Sequence, residues 1–195
     1  MDGDDAEIMR QVQAGRLEQF EVLVRRYRPA LIQVARSRLG DQAWAEDVVQ
    51  ETFLAAFAAR DQYKPAFAFR TWLWTILLNL CRRQWRRRQS AGQSCIGRLS
   101  PFVDQQFEPA SHETGLTVAL AVEQRERVRS LLTKLPEVQG DAIRLRFFGG
   151  LPFAEIATTM KSSMAAAKDR VKTGLLTLAR WLKEESAEER PHDLR

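Results

Sequence analysis

The sequence predicts an all-α fold of two small helical domains joined by a flexible linker. Apolar residues recur with a helical period of about 3.6 along most of the chain. Between residues 90 and 115 this period stops, and Ser, Gly, Gln and Pro accumulate instead. A chain of 195 residues has room for one or two small domains. We therefore expect a first domain over 1–89, the linker over 90–115, a second domain over 116–185 and a tail over 186–195.

The first domain should contain three helices before its central one. Asp5 to Gln13 has acidic residues in its first turn and predicts a short helix. Leu17 to Gly40 keeps a helical period, although Pro29 should bend or split it. Asp41 is a candidate N-cap of the next helix. The apolar face of that helix carries Val49, Phe53, Ala56 and Phe57, and its polar face carries Glu46, Asp47, Gln50 and Glu51.

That polar face has two interpretations. Asp47 and Glu51 are four residues apart, which places like charges side by side on a helix at a cost of a few tenths of a kcal/mol. The face is either simply solvated or a docking surface for a basic or polar partner helix.

An ordered loop is predicted over 62–68, where Pro65 breaks the pattern, and it leads into the central helix; the stretch 67–89 contains three of the five tryptophans. One face is apolar and should pack on a core, through Leu73, Ile76, Leu77 and Leu80. The carboxyl end is polycationic, with Arg82, Arg83, Arg86, Arg87 and Arg88. Aromatic rings can stack on unpaired bases and arginines can neutralise phosphates, so the helix suits single-stranded nucleic acid. A core helix with a solvated basic end is the alternative.

The second domain should end in a helix-turn-helix. Helices are predicted over 138–148, 153–160 and 163–185, and a turn of only Lys161 and Ser162 separates the last two. The third helix should bury Val171, Leu175, Leu178 and Leu182. Its amino-terminal part presents Lys168, Arg170 and Lys172, as a major-groove reader would. Mere helix packing is the alternative.

Composition favours a nucleic-acid partner and gives no indication of an enzyme. Lys and Arg exceed Asp and Glu by 30 to 25, and the pI is near 9.6. Cys81 and Cys95 form no C-x-x-C motif, and His112 and His192 fall in the linker and tail, so we expect no metal and no cofactor. The acidic amino terminus does not resemble a signal peptide, and no apolar run is long enough to span a bilayer, which predicts a cytoplasmic protein.

Nearly the whole chain resembles a bacterial RNA polymerase sigma factor of the extracytoplasmic function (ECF) group within the sigma-70 family. The first domain resembles region 2 of that family through RRYRPALIQVA, AEDVVQETFLAAF and FRTWLWTILLNLCRRQWRRR. The second resembles region 4 through LPEVQGDAIRLRFFGGLPFAEIA and the K-x-R that follows it. The resemblance implies a protein that binds core polymerase, directs it to promoters and helps to open the −10 region.

The resemblance also implies roles for individual residues. Positions that match the segment docking on the clamp helices of the polymerase largest subunit are Asp47, Gln50, Glu51 and Phe53. The loop that captures a flipped −10 base corresponds to Lys64 to Phe69 and includes Phe67. Contacts with the melted strand are implied for Trp72, Trp74 and Asn79, and phosphate contacts for Arg82, Arg83, Arg86 and Arg87. Reading of the −35 duplex is implied for Lys168, Arg170 and Lys172. An anti-sigma factor is usual in the group, and the sequence leaves open whether this chain has one.

Two departures from the family pattern lie in the helix-turn-helix. Lys161 stands where the family usually has a glycine suited to a positive φ. Asp169 stands between Lys168 and Arg170, where Ser or Thr is usual, and its carboxylate would repel phosphate. We therefore expect weak or unusual −35 recognition. The alternatives are a stand-alone helix-turn-helix regulator, which would leave the acidic face and the aromatic loop without a role, and a helical protein that binds another protein.

Overall fold

The computed structural model describes residues 2–90 and 115–188, with side chains for 4–90 and 123–185. These residues form eight α-helices and no strand, which confirms the all-α prediction. In chain order the helices are α1 (Asp2–Gln13), α2 (Phe20–Leu39), α3 (Gln42–Ala58), α4 (Phe69–Ser90), α5 (Gly115–Lys134), α6 (Glu137–Phe147), α7 (Phe153–Thr159) and α8 (Met164–Glu188). The expectations for Cys95 and both histidines fall outside the described residues. None of the described helices is both long and apolar enough for a membrane span.

The junction between α2 and α3 follows the predicted capping. Gly40 ends α2 in the left-handed conformation at φ 77°, and its amide donates to the Arg36 carbonyl at 2.8 Å. The Asp41 side chain then accepts a hydrogen bond from the Trp44 amide at 2.7 Å and so caps α3. This tight corner sets the two helices against each other in the core of the first domain.

Pro29 does not split the second helix, contrary to one of the two outcomes expected. Residues 17–19 form a short 3-10 turn, after which α2 runs unbroken through Pro29 to Leu39. Tyr27 and Leu31 on either side of the proline are both buried. Their burial against the core offsets the one backbone hydrogen bond that a proline cannot make.

Helix α4 lies against α1, α2 and α3 and forms the centre of the first domain. Its apolar face is buried as predicted at Leu73, Leu77 and Leu80, whereas Ile76 is only half-buried. The arginine-rich carboxyl end extends beyond this packing, with Arg83, Arg86 and Arg87 exposed.

The second domain contains the predicted helix-turn-helix in α7 and α8. The Ser163 hydroxyl accepts from the Ala166 amide at 3.1 Å and caps the start of α8. Helix α8 buries Val171 and Leu178, but the prediction that Leu175 is buried was wrong, since it is 41% exposed. Gly174 takes the inward position instead. A Cβ there would lie 2.6 Å from Ile143 Cδ1, so the absence of a side chain lets α6 and α8 approach closely.

The two domains pack against each other, which the sequence did not predict. Helix α6 contacts α2, and α7 contacts α4. The Arg144 side chain reaches across this boundary and donates to Ser37 Oγ at 3.1 Å, as well as to the Leu132 carbonyl at 2.9 Å. The boundary therefore contains buried polar groups from both domains.

Candidate polymerase and nucleic-acid interfaces

The polar face of α3 is only partly available to a partner. Asp47 and Gln50 are exposed, as a docking surface requires. Glu51 instead forms an ion pair with Arg83 of α4 and accepts from Gln84 at 3.1 Å. Arg83 therefore neutralises Glu51, the more carboxyl-terminal member of the Asp47 and Glu51 pair. Phe53 is 7% exposed and its ring packs edge-on against Phe20, so it supports the surface from below.

A groove of about 630 Å³ runs between α2 and α3 beside these residues. Apolar side chains line part of it, and Leu54 at its side is 62% exposed. The ionisable side chains around it are mostly acidic: Glu18, Glu21, Glu46 and Asp47, with Arg28 as the basic exception. An apolar groove with acidic edges is complementary to a helix that carries apolar and basic residues.

The loop before α4 holds one aromatic side chain out in solvent. Phe67 is 60% exposed and Lys64 is exposed, whereas Phe69 is fully buried. Tyr63 donates its hydroxyl hydrogen bond to the Phe67 carbonyl at 2.8 Å and packs its ring on Phe69 and Trp72. The buried rings therefore fix the loop, while Phe67 and Lys64 are the predicted site residues that a ligand can reach directly.

Trp74 occupies a different position from the one expected for a residue that faces a DNA strand. It is fully buried, and its ring lies where α4 meets the α6–α7 turn. A Cβ on Gly149 would approach Trp74 Cζ2 to 3.2 Å. Its indole Nε1 is buried and has no hydrogen-bond partner in the described part of the chain. In this arrangement Trp74 cannot stack on a base, whereas Trp72 is half-buried and Asn79 is exposed.

An open groove at the end of α4 is lined by Asn79, Ser90 and four arginines, Arg82, Arg83, Arg86 and Arg87. Arg86 and Arg87 are exposed there. Arg82 is engaged by the second domain: its Nε lies 2.7 Å from Glu137 Oε1, and its Nη2 lies 3.0 Å from Asp141 Oδ2. The predicted phosphate-binding set is thus brought together, but Arg82 is occupied by carboxylates.

An interdomain ion cluster surrounds Arg82, and its members are Arg38, Arg82, Glu137, Asp141 and Arg144. Asp141 is fully buried and also pairs with Arg38, which in turn lies 2.9 Å from Glu137. Burial lowers the pKa of Arg38 and Arg144 from the ordinary arginine value. Burial alone would raise the pKa of Glu137, but the hydrogen bond from Arg82 and the charge of Arg38 hold it below its usual value.

One of the two sequence departures lies at a strained backbone position in the helix-turn-helix. Lys161 adopts φ 49°, the left-handed conformation that a glycine would occupy without strain. Lys168, Asp169 and Lys172 are exposed along α8, and Arg170 is half-buried. The carboxylate of Asp169 therefore shares the surface on which cations would meet a DNA backbone.

Sequence reasoning missed an aromatic stack at the start of α3. The rings of Trp44 and Trp85 are stacked with centroids 6.3 Å apart, and the Arg88 guanidinium lies 4.0 Å from the Trp44 centroid. These residues join the amino end of α3 to the carboxyl end of α4. They are far apart along the chain, so no local periodicity could have revealed the contact.

Comparison with known proteins agrees with this arrangement. Residues 23–91 match the model of Sigma-70 region 2, and residues 125–178 match that of Sigma-70, region 4. The ECF RNA polymerase sigma-E factor of Escherichia coli (strain K12) is 30% identical over 171 residues, which cover 86% of this chain and 88% of that protein. The RNA polymerase sigma-H factor of Pseudomonas aeruginosa is 28% identical over 177 residues, covering 86% of this chain and 88% of that protein.

Two solved structures share the fold. A structure of CnrH in complex with the cytosolic domain of CnrY has a TM-score of 0.70 at 29% identity and covers 92% of this chain and 97% of that one. A structure of the sigma factor RpoE in complex with the anti-sigma factor NepR from Bartonella quintana has a TM-score of 0.63 at 26% identity, covering 85% of this chain and 98% of that one. The family models, the relatives and the two-domain helical fold agree: the chain belongs to the ECF group of the sigma-70 family of RNA polymerase sigma factors.

Proposed function

We propose that the first domain uses two separate surfaces to bind core RNA polymerase and the melted −10 strand. As an ECF sigma factor, the protein directs promoter-specific initiation together with core polymerase. The observation that carries our assignment is that the first domain has two exposed faces of different chemistry. An exposed acidic and apolar face lies on α2 and α3, and an exposed aromatic and basic face lies on the 64–69 loop and α4.

The α2–α3 groove is the proposed polymerase site. Asp47 and Gln50 would make polar contacts with the clamp helices of the largest subunit, and Leu54 would supply an apolar anchor because it is 62% exposed. Phe53 would not touch the polymerase but would hold the groove wall in place through its buried contact with Phe20. Glu51 would act through Arg83, whose position on α4 it fixes.

The 64–69 loop is the proposed site for an extruded −10 base. Extruding a base costs a few kcal/mol, and stacking on an aromatic ring returns about 1–3 kcal/mol per base. Phe67 is available for such stacking, and Lys64 beside it can meet a phosphate. Phe69 and Trp72 would shape the site, since their rings hold the loop in place.

The groove at the end of α4 is the proposed binding site for the phosphate backbone, through Asn79, Arg83, Arg86 and Arg87. Arg82 and Trp74 would join the −10 surface once the second domain moves away.

In the second domain, Lys168, Arg170 and Lys172 would contact the −35 duplex. Asp169 would weaken that contact by repelling phosphate while remaining able to accept from cytosine N4. The −10 contacts should therefore dominate affinity.

The remaining assignments follow from membership of the family. The chain would act in the cytoplasm, where promoters are transcribed, and would itself catalyse no reaction because the polymerase does the chemistry. An anti-sigma factor is a fitting partner, since the relative from Bartonella quintana was solved with one. A stand-alone regulator, by contrast, would have no use for the α2–α3 groove.

Separate variants test the two surfaces. Asp47→Ala should weaken capture of the protein by core polymerase but leave its affinity for a single strand unchanged. Phe67→Ala should weaken binding to a single strand but leave capture by core polymerase unchanged. Asp61→Ala is the control for Asp47, because it removes an exposed carboxylate outside the groove. If Asp47→Ala and Asp61→Ala reduced polymerase capture equally, or if Phe67→Ala left strand binding intact, the assignment of these surfaces would be wrong.

A further inference from the structure

The interdomain ion cluster joins two arginines of the first domain to two carboxylates of the second. Arg82 binds Glu137 and Asp141 at 2.7 and 3.0 Å, and Arg38 binds the same two carboxylates. Asp141 is fully buried, and Arg144 of its own helix lies 3.7 Å away. Buried ions are stable only when paired, so the cluster requires both domains to stay together.

Two more contacts join the same surfaces. Arg70, in the first turn of α4, forms a two-pronged ion pair with Glu155 of α7, with Nε 2.8 Å from Oε2. Trp74, one turn further on, packs under the α6–α7 turn beside Gly149. The second domain therefore covers one continuous stretch of α4, from its first turn to Arg82.

This covered stretch overlaps the proposed −10 surface. A carboxylate and a phosphate oxygen are both anionic acceptors, so Glu137 and Asp141 fill the donor positions of Arg82 that a DNA phosphate would otherwise take. Trp74 cannot face a strand while Gly149 lies over it. The closed packing also leaves the indole Nε1 buried without a partner among the described residues, an unfavourable feature that opening would remove. One surface thus has two mutually exclusive occupants.

We propose that Glu137 and Asp141 act as an internal competitor of DNA, holding a closed state that must open at the ion cluster before Arg82 and Trp74 bind the −10 strand. This inference rests on the proposed function of α4. A strand that needs Arg82 binds only the open chain. Strand binding therefore disfavours domain closure, and closure weakens strand binding by the same free energy. Loss of the cluster should therefore raise the affinity for single-stranded DNA.

Two variants break the cluster without altering a proposed DNA contact. Asp141→Asn removes the buried negative charge, and Arg38→Gln removes its partner on α2. The second variant is the sharper test, because losing a cation should weaken DNA binding on charge alone, whereas opening should strengthen it. The matched controls are Glu184→Gln and Arg25→Gln, which remove the same charges from exposed surface pairs.

The experiment measures two quantities on the full-length chain. Small-angle X-ray scattering reports the radius of gyration, and fluorescence anisotropy with a labelled oligodeoxythymidylate reports strand affinity. Both cluster variants should expand the chain and tighten strand binding by at least about fivefold relative to their controls, as expected for a coupling of ordinary size. Circular dichroism should show unchanged helicity, and if Asp141→Asn loses helicity, Arg38→Gln alone decides.

An unchanged radius of gyration, or an affinity change no larger than that of the matched control, would overturn the proposal. Transcription with core polymerase separates this result from a failure of the proposed function. If wild-type protein supports transcription but the cluster variants neither expand nor bind tighter, only the closed state is refuted. If the variants expand and yet neither they nor the wild type binds a strand, the assignment of α4 fails instead.

Discussion

Replacing Lys161 by glycine should stabilise the helix-turn-helix. Lys161 is the one non-glycine residue at positive φ in the described part of the chain, at 49°. The left-handed conformation costs an L-residue about 1–2 kcal/mol. Glycine removes this strain, but its greater conformational freedom in the unfolded chain destabilises the folded state by about 0.5–1 kcal/mol. Since the Lys161 side chain is exposed, few contacts are lost. The difference between these two ranges is about 0–1.5 kcal/mol, and we expect a net gain near its middle, roughly 0.7 kcal/mol.

Thermal unfolding followed by circular dichroism measures this gain. For a small domain, about 1 kcal/mol moves Tm by roughly 4–8 °C, so Lys161→Gly should raise Tm by about 3–6 °C. Lys161→Ala is the matched control, because alanine loses the charged group but keeps the Cβ that causes the strain. If Lys161→Ala raised Tm as much as Lys161→Gly, charge rather than strain would be the cause. A lower Tm for Lys161→Gly would refute the reasoning altogether.

Four further changes have expected outcomes. Asp41→Ala should lower stability by about 1 kcal/mol in urea unfolding, because α3 loses its cap, and an unchanged midpoint would contradict this. Leu54→Asp should abolish capture by core polymerase at unchanged Tm, since Leu54 is 62% exposed beside the groove; normal capture would count against that site. Asp169→Ser should strengthen binding to a −35 duplex in gel-shift assays, and equal or weaker binding would show that Asp169 does not repel the backbone. Burial raises the pKa of Cys81 to about 11, so in a Cys95→Ser chain a disulfide reagent at pH 8 should react only after unfolding, and rapid reaction of the folded chain would be inconsistent with a buried thiol. Because the ordinary value is 9.0, the stability that this thiol contributes is present below pH 9 and should be lost as the pH rises towards 11.

Local features of the fold could be predicted because each depends on neighbours along the chain. Gly40 and Asp41 set the α2–α3 corner through hydrogen bonds that span only a few residues. The helical period of α4 placed Leu73 and Leu77 in the core. The positive φ at Lys161 was expected from the glycine that the family has at that position.

Features set by distant contacts could not be predicted in this way. Leu175 fits the helical period of α8, yet Gly174 faces α6 because only a residue without a side chain allows the close approach to Ile143. The family resemblance implies that Trp74 faces a DNA strand, but it lies under Gly149, far along the sequence. Glu51 likewise finds its cation on another helix. No periodic pattern encodes such pairings, so the packing between the two domains appears only in the structure.

Transcription in vitro tests the central assignment most directly. Purified protein and bacterial core polymerase would be combined on fragments of the native genome, and the transcript starts would be sequenced. Discrete starts should appear only when both components are present, preceded by a shared −10 motif and a weak or absent −35 motif. Absence of such starts, despite binding of the protein alone to duplex DNA, would contradict the assignment and favour a stand-alone regulator.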